Sequence, residues 1–181
     1  NRFSEAKKVY AVAEEVIRRL GLENTEQHGT TLLNLASVHT EEGDPSKALE
    51  LYQRVSSIFQ CSGLQNDYRM AALCNNISHA YEKLGMQNEA VSYAEKALKI
   101  IKGQQGYDVE LATTHTTLAA RYMKQQRQEE ALEHLKEAEK IFLNLPGKRN
   151  VHYAATLNAL GELCYRRGQL EDSAKYYEQA L

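Results

Sequence analysis

The chain has 181 residues, 43% of them apolar, and its 22 basic and 24 acidic side chains give a formal net charge of -2. A nearly balanced charge is atypical of surfaces that bind nucleic acid or anionic membranes, so we expect neither partner. No apolar stretch reaches the roughly 20 residues of a bilayer-spanning helix. With two prolines, ten glycines and many good helix formers, the sequence predicts an all-α chain.

Amphipathic segments follow one another along the chain, with apolar residues at helical spacing. We distinguish first-type and second-type helices, which alternate, with a tight turn after each first-type helix. In chain order, starting with a second-type helix, the nine predicted helices lie near residues 4–20, 28–42, 46–60, 69–84, 87–102, 110–125, 128–144, 151–167 and 171–181. Because both ends of the chain fall inside helical patterns, we expect a fragment of a longer protein.

A repeat of about 42 residues runs through the second-type helices. The aligned dipeptides are Glu5-Ala6, Lys47-Ala48, Glu89-Ala90, Glu130-Ala131 and Asp172-Ser173, and their small residues lie 42, 42, 41 and 42 positions apart. A fixed period between about 20 and 50 residues is typical of a solenoid, in which neighbouring units cover each other's apolar faces. The sequence predicts one array over residues 1–181, with units of roughly 1–27, 28–68, 69–109, 110–150 and 151–181.

The turns after the first-type helices share a position that requires an unusual backbone. Gly43, Gly85 and Gly168 mark three of these turns, whereas the third turn has Gln126 in place of glycine. Gln126 must adopt a positive φ angle, or its helix must end in another way. Asp44-Pro45 supports the first turn independently, because Asp is a favoured N-cap and Pro fits the first helical position.

Small residues also recur in the first-type helices, twelve positions before the aligned dipeptide residue. They are Ala36, Ser78, Ala119 and Gly161, and nothing larger than alanine or serine occurs there. We expect two helices to approach closely at this position. Five tyrosines, Tyr81, Tyr93, Tyr122, Tyr176 and Tyr177, are predicted to pack between repeats.

The small residue, the glycine turn and the Ala-rich second helix together resemble the tetratricopeptide repeat. The resemblance rests on Leu35-Ala36 with Gly43 and Ala48, Ile77-Ser78 with Tyr81, Gly85 and Ala90, Leu118-Ala119 with Tyr122 and Ala131, and Leu160-Gly161 with Gly168. The longer period, and stretches such as Asn75 to Tyr81 and Glu95 to Ile100, are similar to the extended repeats of kinesin light chains. The resemblance implies a right-handed α-solenoid of stacked antiparallel helical hairpins, a superhelix of about four and a half repeats.

In such a solenoid the first-type helices line a concave groove that holds an extended or helical segment of another polypeptide. The candidate groove residues lie on the faces of these helices opposite the apolar stripe. They are Asn34, Ser37, Asn75, Asn76, His79, Lys83, Thr113, Thr117, Lys124, Asn158, Tyr165 and Arg166. We predict that these residues bind a protein or peptide ligand.

Each class of candidate residue has a second interpretation. An asparagine amide can both donate to and accept from a peptide backbone, but the asparagines could instead bond each other or a neighbouring loop. Lys83, Lys124 and Arg166 could meet an acidic ligand or complement the negative end of a helix dipole. Tyr165 could be an exposed aromatic anchor or part of the core.

The sequence offers no constellation for catalysis. Its six histidines are scattered, with no HExxH motif, phosphate loop or nucleophile elbow, so we expect no enzymatic activity and no cofactor. His115 replaces an apolar residue on a packing face, and we expect a satisfied core histidine there. Cys61, Cys74 and Cys164 form no CxxC pair, which favours neither a disulfide framework nor a metal site and suggests a reducing compartment, the cytoplasm.

Two functions fit these expectations. The first is a protein-interaction scaffold, and the alternative is a regulatory sensor that binds a short peptide and controls an attached effector domain. Self-association through the last helix, by exposed Tyr176, Tyr177 and Leu181, is a third possibility.

Overall fold

The computed structural model describes residues 2–146 and 151–181, except for the side chain of Arg2. In these residues it contains nine α-helices and no strand. The helices are α1 (Arg2–Arg19), α2 (Glu26–Glu42), α3 (Pro45–Cys61), α4 (Tyr68–Lys83), α5 (Gln87–Ile101), α6 (Asp108–Lys124), α7 (Gln128–Asn144), α8 (Val151–Arg166) and α9 (Leu170–Ala180). The predicted helices are confirmed, each to within two residues at either end.

The contacts divide the chain into two compact units, Asn1–Tyr93 and Ala94–Leu181. In unit 1, α2 packs against α3 and also against the first-type helix α4. In unit 2, α6 pairs with α7, α8 pairs with α9, and the first-type helices α6 and α8 are in contact. The fold is therefore an all-α helical repeat solenoid. Among the residues that the structure describes, no helix is both long and apolar enough to cross a bilayer.

The predicted turn chemistry is confirmed at both of its unusual positions. Gly43 has a φ angle of 94°, and its N–H donates to the carbonyls of His39 and Thr40 at the end of α2. Asp44 then accepts a hydrogen bond from the N–H of Lys47, and Pro45 begins α3. Gln126 has a φ angle of 62°, so it adopts the left-handed conformation that glycine adopts in the other turns. For a residue with a side chain, this conformation costs on the order of 1 kcal/mol.

The close approach predicted at the small residues is also confirmed. Ala36, Ser78 and Ala119 have no exposed surface, and Gly161 is buried. The Ser78 hydroxyl donates to the carbonyl of Ala90 over 2.7 Å. A second such bond of 2.8 Å runs in the opposite sense, from the Ser173 hydroxyl to the carbonyl of Gly161. A side chain that reaches the facing backbone with one hydroxyl group leaves no room for a larger residue.

The predicted packing tyrosines contact neighbouring helices, but Tyr177 is only partly covered. The rings of Tyr81 and Tyr93 stack with their centroids 5.5 Å apart, and Tyr122 is 6% exposed. Tyr177 lies against Gly161 on one side, yet it is 41% exposed. Its prediction as a core residue is therefore wrong, because no helix among the described residues covers the outer face of α9.

His115 has a partner, as expected of a core histidine, and the partner is a second histidine. Its Nδ1 lies 2.8 Å from the Nδ1 of His134, so one ring donates and the other accepts. Burial first, and then the neighbouring His134, lower the pKa of His115 to about 4. Burial also lowers the pKa of His134, against the opposing charges of nearby glutamates. The pair is neutral at physiological pH and joins α6 to α7.

We expect acid to weaken unit 2 through this pair. An unfolded histidine has a pKa of about 6.5, whereas that of folded His115 is about 4. Below pH 6.5 the unfolded chain therefore binds more protons, and stability falls as the pH drops toward 4. The charged groups around the pair are Lys102, Glu95, Glu130, Glu133 and Glu137.

Urea unfolding followed by circular dichroism at neutral and mildly acidic pH measures this loss. The control variant is His115→Leu, since Leu32 and Leu157 occupy the equivalent positions. The variant should lose less stability over the same pH range than the wild type. An equal loss in both proteins would contradict the assignment.

Candidate peptide-binding surfaces

The first-type helices of unit 1 bring half of the predicted groove residues onto one face. We define surface 1 as Asn34, Ser37 and Glu41 of α2 with Asn75, Asn76, His79 and Lys83 of α4. Spacings of three and four residues place Asn34, Ser37 and Glu41 on one side of α2, and Asn76, His79 and Lys83 on one side of α4. Asn75 lies at the edge of that face, with its amide oxygen buried. The Nε2 of His79 lies 2.9 Å from Oε1 of Glu41, so the two faces meet.

The asparagines of surface 1 differ in what they already contact. Asn34 is exposed and Asn76 is half-buried. Within residues 2–146 and 151–181, neither amide makes a side-chain hydrogen bond, whereas Asn75 already has an interaction partner. Ser37 is half-buried beside the hydroxyl of Tyr52. The amides of Asn34 and Asn76 therefore remain able to donate to and accept from a peptide backbone.

His79 has a structural task in addition to any contact with a ligand. Its Nδ1 lies 3.2 Å from a carboxylate oxygen of Glu82, and its Nε2 faces Glu41. The ring therefore lies between a carboxylate of its own helix and one of α2. His79 thus ties α4 to α2 at the centre of surface 1.

Unit 2 presents the remaining predicted residues in the same way. We define surface 2 as Thr113, Thr117 and Lys124 of α6 with Asn158, Tyr165 and Arg166 of α8. The two helices are joined beside this surface by the hydroxyls of Thr116 and Thr156, which lie 2.8 Å apart. Because Thr156 is fully buried, this contact fixes the spacing of α6 and α8.

Tyr165 and Asn158 are the most accessible members of surface 2. Tyr165 is 64% exposed, which favours the anchor interpretation over packing in the core. Asn158 is exposed, and its amide makes no hydrogen bond within the described part of the chain. The Thr113 hydroxyl donates to the carbonyl of Val109 over 2.7 Å, so only its lone pairs remain for a ligand. Thr117 is half-buried.

The three recurring cations all lie in the last turn of their helices, where they complement the helix dipole. Lys83 and Lys124 are exposed, so an acidic ligand could also reach them. Arg166 has less hydrogen-bonding capacity left for a ligand, because it pairs with Glu162 at 2.5 Å and donates to the carbonyl of Met123 over 3.4 Å. The sequence did not predict these bonds. The only available signal was that Arg166 and Met123 lie 43 residues apart, close to the repeat period.

We also searched the described residues for clusters that could bind a metal ion. Across the residues that the structure describes, no three His, Cys, Asp or Glu side chains are placed to hold a metal ion. His28 is 2% exposed, and its Nε2 lies 2.7 Å from the Glu14 carboxylate, which ties α1 to α2.

Comparisons with known proteins identify the repeat. Family models described as tetratricopeptide repeat match residues 31–58, 71–103 and 110–181. Kinesin light chain-related protein 2 of Arabidopsis thaliana is 28% identical over 137 residues, which cover 75% of this chain and 20% of that protein. Response regulator aspartate phosphatase E of Bacillus subtilis is 27% identical over 139 residues, which cover 77% of this chain and 36% of that protein. The chain thus spans only a minor part of the length of these relatives.

Among solved structures, BtubC (BKLC) from P. vanneervenii has a similar fold. It aligns with 98% of this chain and 70% of its own length, with a TM-score of 0.77 and 24% identity.

Proposed function

Because the chain is a tetratricopeptide repeat protein of the kinesin-light-chain-like kind, we propose that it binds segments of another polypeptide on surfaces 1 and 2. The observation that carries this proposal is the pair of amides on neighbouring first-type helices, Asn34 and Asn76. Both lie on one face of unit 1 and neither is bonded within the described residues.

The two surfaces offer different contacts to a guest chain. On surface 1, the amides bind backbone groups of an extended segment, which requires no particular sequence of the guest. On surface 2, Tyr165 supplies a large aromatic contact area beside the amide of Asn158, a combination frequent at binding hot spots. Lys83 and Lys124 favour a guest with acidic residues near the ends of these helices.

In this proposal the chain is a scaffold that catalyses no reaction and needs no cofactor. Its cytoplasmic setting is supported by Cys61, Cys74 and Cys164, which are all free thiols. Two of the three, Cys74 and Cys164, are buried.

A peptide-array screen with three purified proteins tests the proposal. Peptides that bind the wild type on surface 1 should bind the Asn34→Ala/Asn76→Ala variant about tenfold or more weakly, because two hydrogen bonds are lost. The matched control is Asn144→Ala, which removes an exposed amide from the second-type helix α7. Circular dichroism verifies that each variant is folded.

Two results would remove surface 1 from the proposal. One is binding that survives the double substitution unchanged, and the other is an equal loss in Asn144→Ala. The pair Asn158→Ala and Tyr165→Ala tests surface 2 by the same criteria.

A regulatory sensor is the second candidate function, favoured by the similarity to response regulator aspartate phosphatase E. In that case peptide binding would control an effector domain attached to these repeats. The flanking sequence separates the two candidates, because an adjoining effector domain favours the sensor and further repeats favour the scaffold.

Self-association through α9 is compatible with either function. Leu170 is 62% exposed and Tyr177 is 41% exposed on this helix, and Leu181 follows it. Tyr176 contributes less than expected, since it is half-buried and accepts a hydrogen bond from Lys136. Light scattering at several concentrations tests this proposal, and a strictly monomeric protein would remove it.

A further inference from the structure

One position in the first-type helices carries an aromatic ring in three repeats, twice as tyrosine, and loses it in the last. The equivalent residues are His39, Tyr81, Tyr122 and Cys164, which lie 42, 41 and 42 positions apart. In α4 and α6 the tyrosine ring stacks on a ring of the following second-type helix. Tyr81 stacks on Tyr93 with the centroids 5.5 Å apart, and Tyr122 stacks on His134 at the same distance.

The surroundings of Tyr122 show how the repeat holds such a ring. Its hydroxyl donates to the Glu95 carboxylate over 2.9 Å. One face stacks on His134, and the Arg127 guanidinium lies 4.2 Å from the ring centroid. The side chain is 6% exposed, so these neighbours enclose it almost completely.

Cys164 occupies the same position in α8 but has no ring. One repeat further along, the residues equivalent to Glu95, His134 and Arg127 are Lys136, Tyr176 and Gln169. All three line a cavity of about 450 Å³ together with Cys164. The three contacts of the Tyr122 ring therefore have counterparts along this cavity. Two of them, Lys136 and Tyr176, also contact each other through a 2.6 Å hydrogen bond from the ammonium to the hydroxyl.

The cavity has both the size and the lining for an aromatic guest. An engineered cavity of about 150 Å³ in another protein is large enough to bind benzene. Here Leu160 and Leu163 lie at the base of the cavity with no solvent-exposed surface, and Tyr176 offers a ring for stacking. Charged side chains, among them Glu139, Arg167 and Asp172, complete the lining. The exposed side chains of Lys136 and Gln169 lie at the rim, so the cavity is open to a guest.

We propose that this cavity, formed by α7, α8 and α9, binds the side chain of a tyrosine from a partner polypeptide. The guest ring occupies the place that Tyr122 fills one repeat earlier, stacked on Tyr176. Lys136 places an ammonium group where Glu95 has a carboxylate. Two of its N–H groups donate to the Tyr176 hydroxyl and to Glu139, so the guest hydroxyl accepts a hydrogen bond from the third. No lining residue belongs to surface 1 or 2, so this site is independent of the function proposed above.

NMR titration of the 181-residue chain with p-cresol, the side chain of tyrosine, tests the site. We expect a dissociation constant on the order of 1 mM, as for a very small ligand. Intermolecular NOEs should connect p-cresol to the Tyr176 ring and to the methyl groups of Leu160 and Leu163. The absence of binding at several millimolar, or NOEs only to other residues, would overturn the proposal.

Cys164→Tyr supplies the missing ring from within the chain. It should weaken p-cresol binding by at least about tenfold and raise the thermal midpoint, because the cavity is filled. Cys164→Ser keeps the cavity and should bind p-cresol within about twofold of the wild type. Equal binding to both variants would contradict the site. If Cys164→Tyr does not fold, Cys164→Phe serves the same purpose without a hydroxyl.

Two further ligands separate the parts of the proposal. Toluene should bind more weakly than p-cresol in the wild type, and Lys136→Met should remove that difference. Equal affinities in the wild type would overturn the role of Lys136. N-acetyltyrosine N-methylamide, which carries the tyrosine side chain on a peptide-like backbone, should bind about as well as p-cresol. If it does not bind, the guest cannot be a tyrosine of a polypeptide.

Discussion

Replacing Phe142 with alanine is expected to lower the free energy of unfolding by about 3–5 kcal/mol. Phe142 is 1% exposed on α7, where it packs with Ala112 of α6 and Ala138 of α7. Its ring centroid lies 5.5 Å from that of Tyr153 on α8. One side chain therefore holds three helices of unit 2 together, and its removal leaves a cavity that the surrounding backbone cannot close.

The measurement is chemical unfolding followed by circular dichroism, since the chain has no tryptophan to report by fluorescence. Leu143→Ala is the matched control, because Leu143 follows Phe142 on the same helix and its side chain is 46% exposed. The control should change stability by no more than about 0.5–1 kcal/mol. A similar loss in both variants would show that Phe142 is not a centre of the core.

Ala119→Leu should destabilise the same unit by about 1–3 kcal/mol for the opposite reason, overpacking. Ala119 has no exposed surface, and neither does Ala131, its counterpart twelve positions later. The equivalent pair Ser78 and Ala90 approaches closely enough for a hydroxyl to bond the facing carbonyl. Three additional carbon atoms therefore force the helices apart.

Ala120→Leu is the control for this substitution. Ala120 is the next residue of α6 and is half-buried on the side that faces surface 2. An added side chain can extend toward solvent there, so stability should change by about 0.5 kcal/mol or less. If Ala120→Leu proved the more damaging variant, the assignment of the close helix contact to Ala119 would be wrong.

Local chemistry explains why the helices could be predicted so closely from the sequence. A turn that needs a positive φ angle leaves a glycine or, as at Gln126, a conspicuous exception. N-caps such as Asp44 act within three residues, so their effect is visible without knowledge of the fold. The small residues and the period together indicated which helices would touch, because each repeat forms the same contact between its two helices.

Contacts between helices were harder to predict, since they depend on side-chain directions as well as on helix faces. The tether of His79 to Glu41 spans 38 residues, and the bond from Arg166 to the Met123 carbonyl spans 43. Both residues were predicted as ligand contacts, and both have partners in the fold. The face of each helix was thus readable from spacing, whereas the remaining bonding capacity of each side chain was not.

The cavity beside Cys164 was visible in the sequence only as a break in a column of aromatic residues. From the sequence alone, a larger neighbouring side chain could equally have filled the volume that the small cysteine leaves. Only the structure establishes that the neighbours at Lys136, Tyr176 and Gln169 leave the volume open.

The two serine bonds across the close helix contacts show that this position tolerates a hydroxyl on either helix. Ser78 stands on the first-type side of its contact and Ser173 on the second-type side, each bonding the carbonyl of the small residue opposite. The contact at Ala119 and Ala131 has no hydroxyl on either side, and both residues are fully buried. A pair of alanines therefore packs at this contact without the hydrogen bond, and a serine is accommodated on either of the two helices.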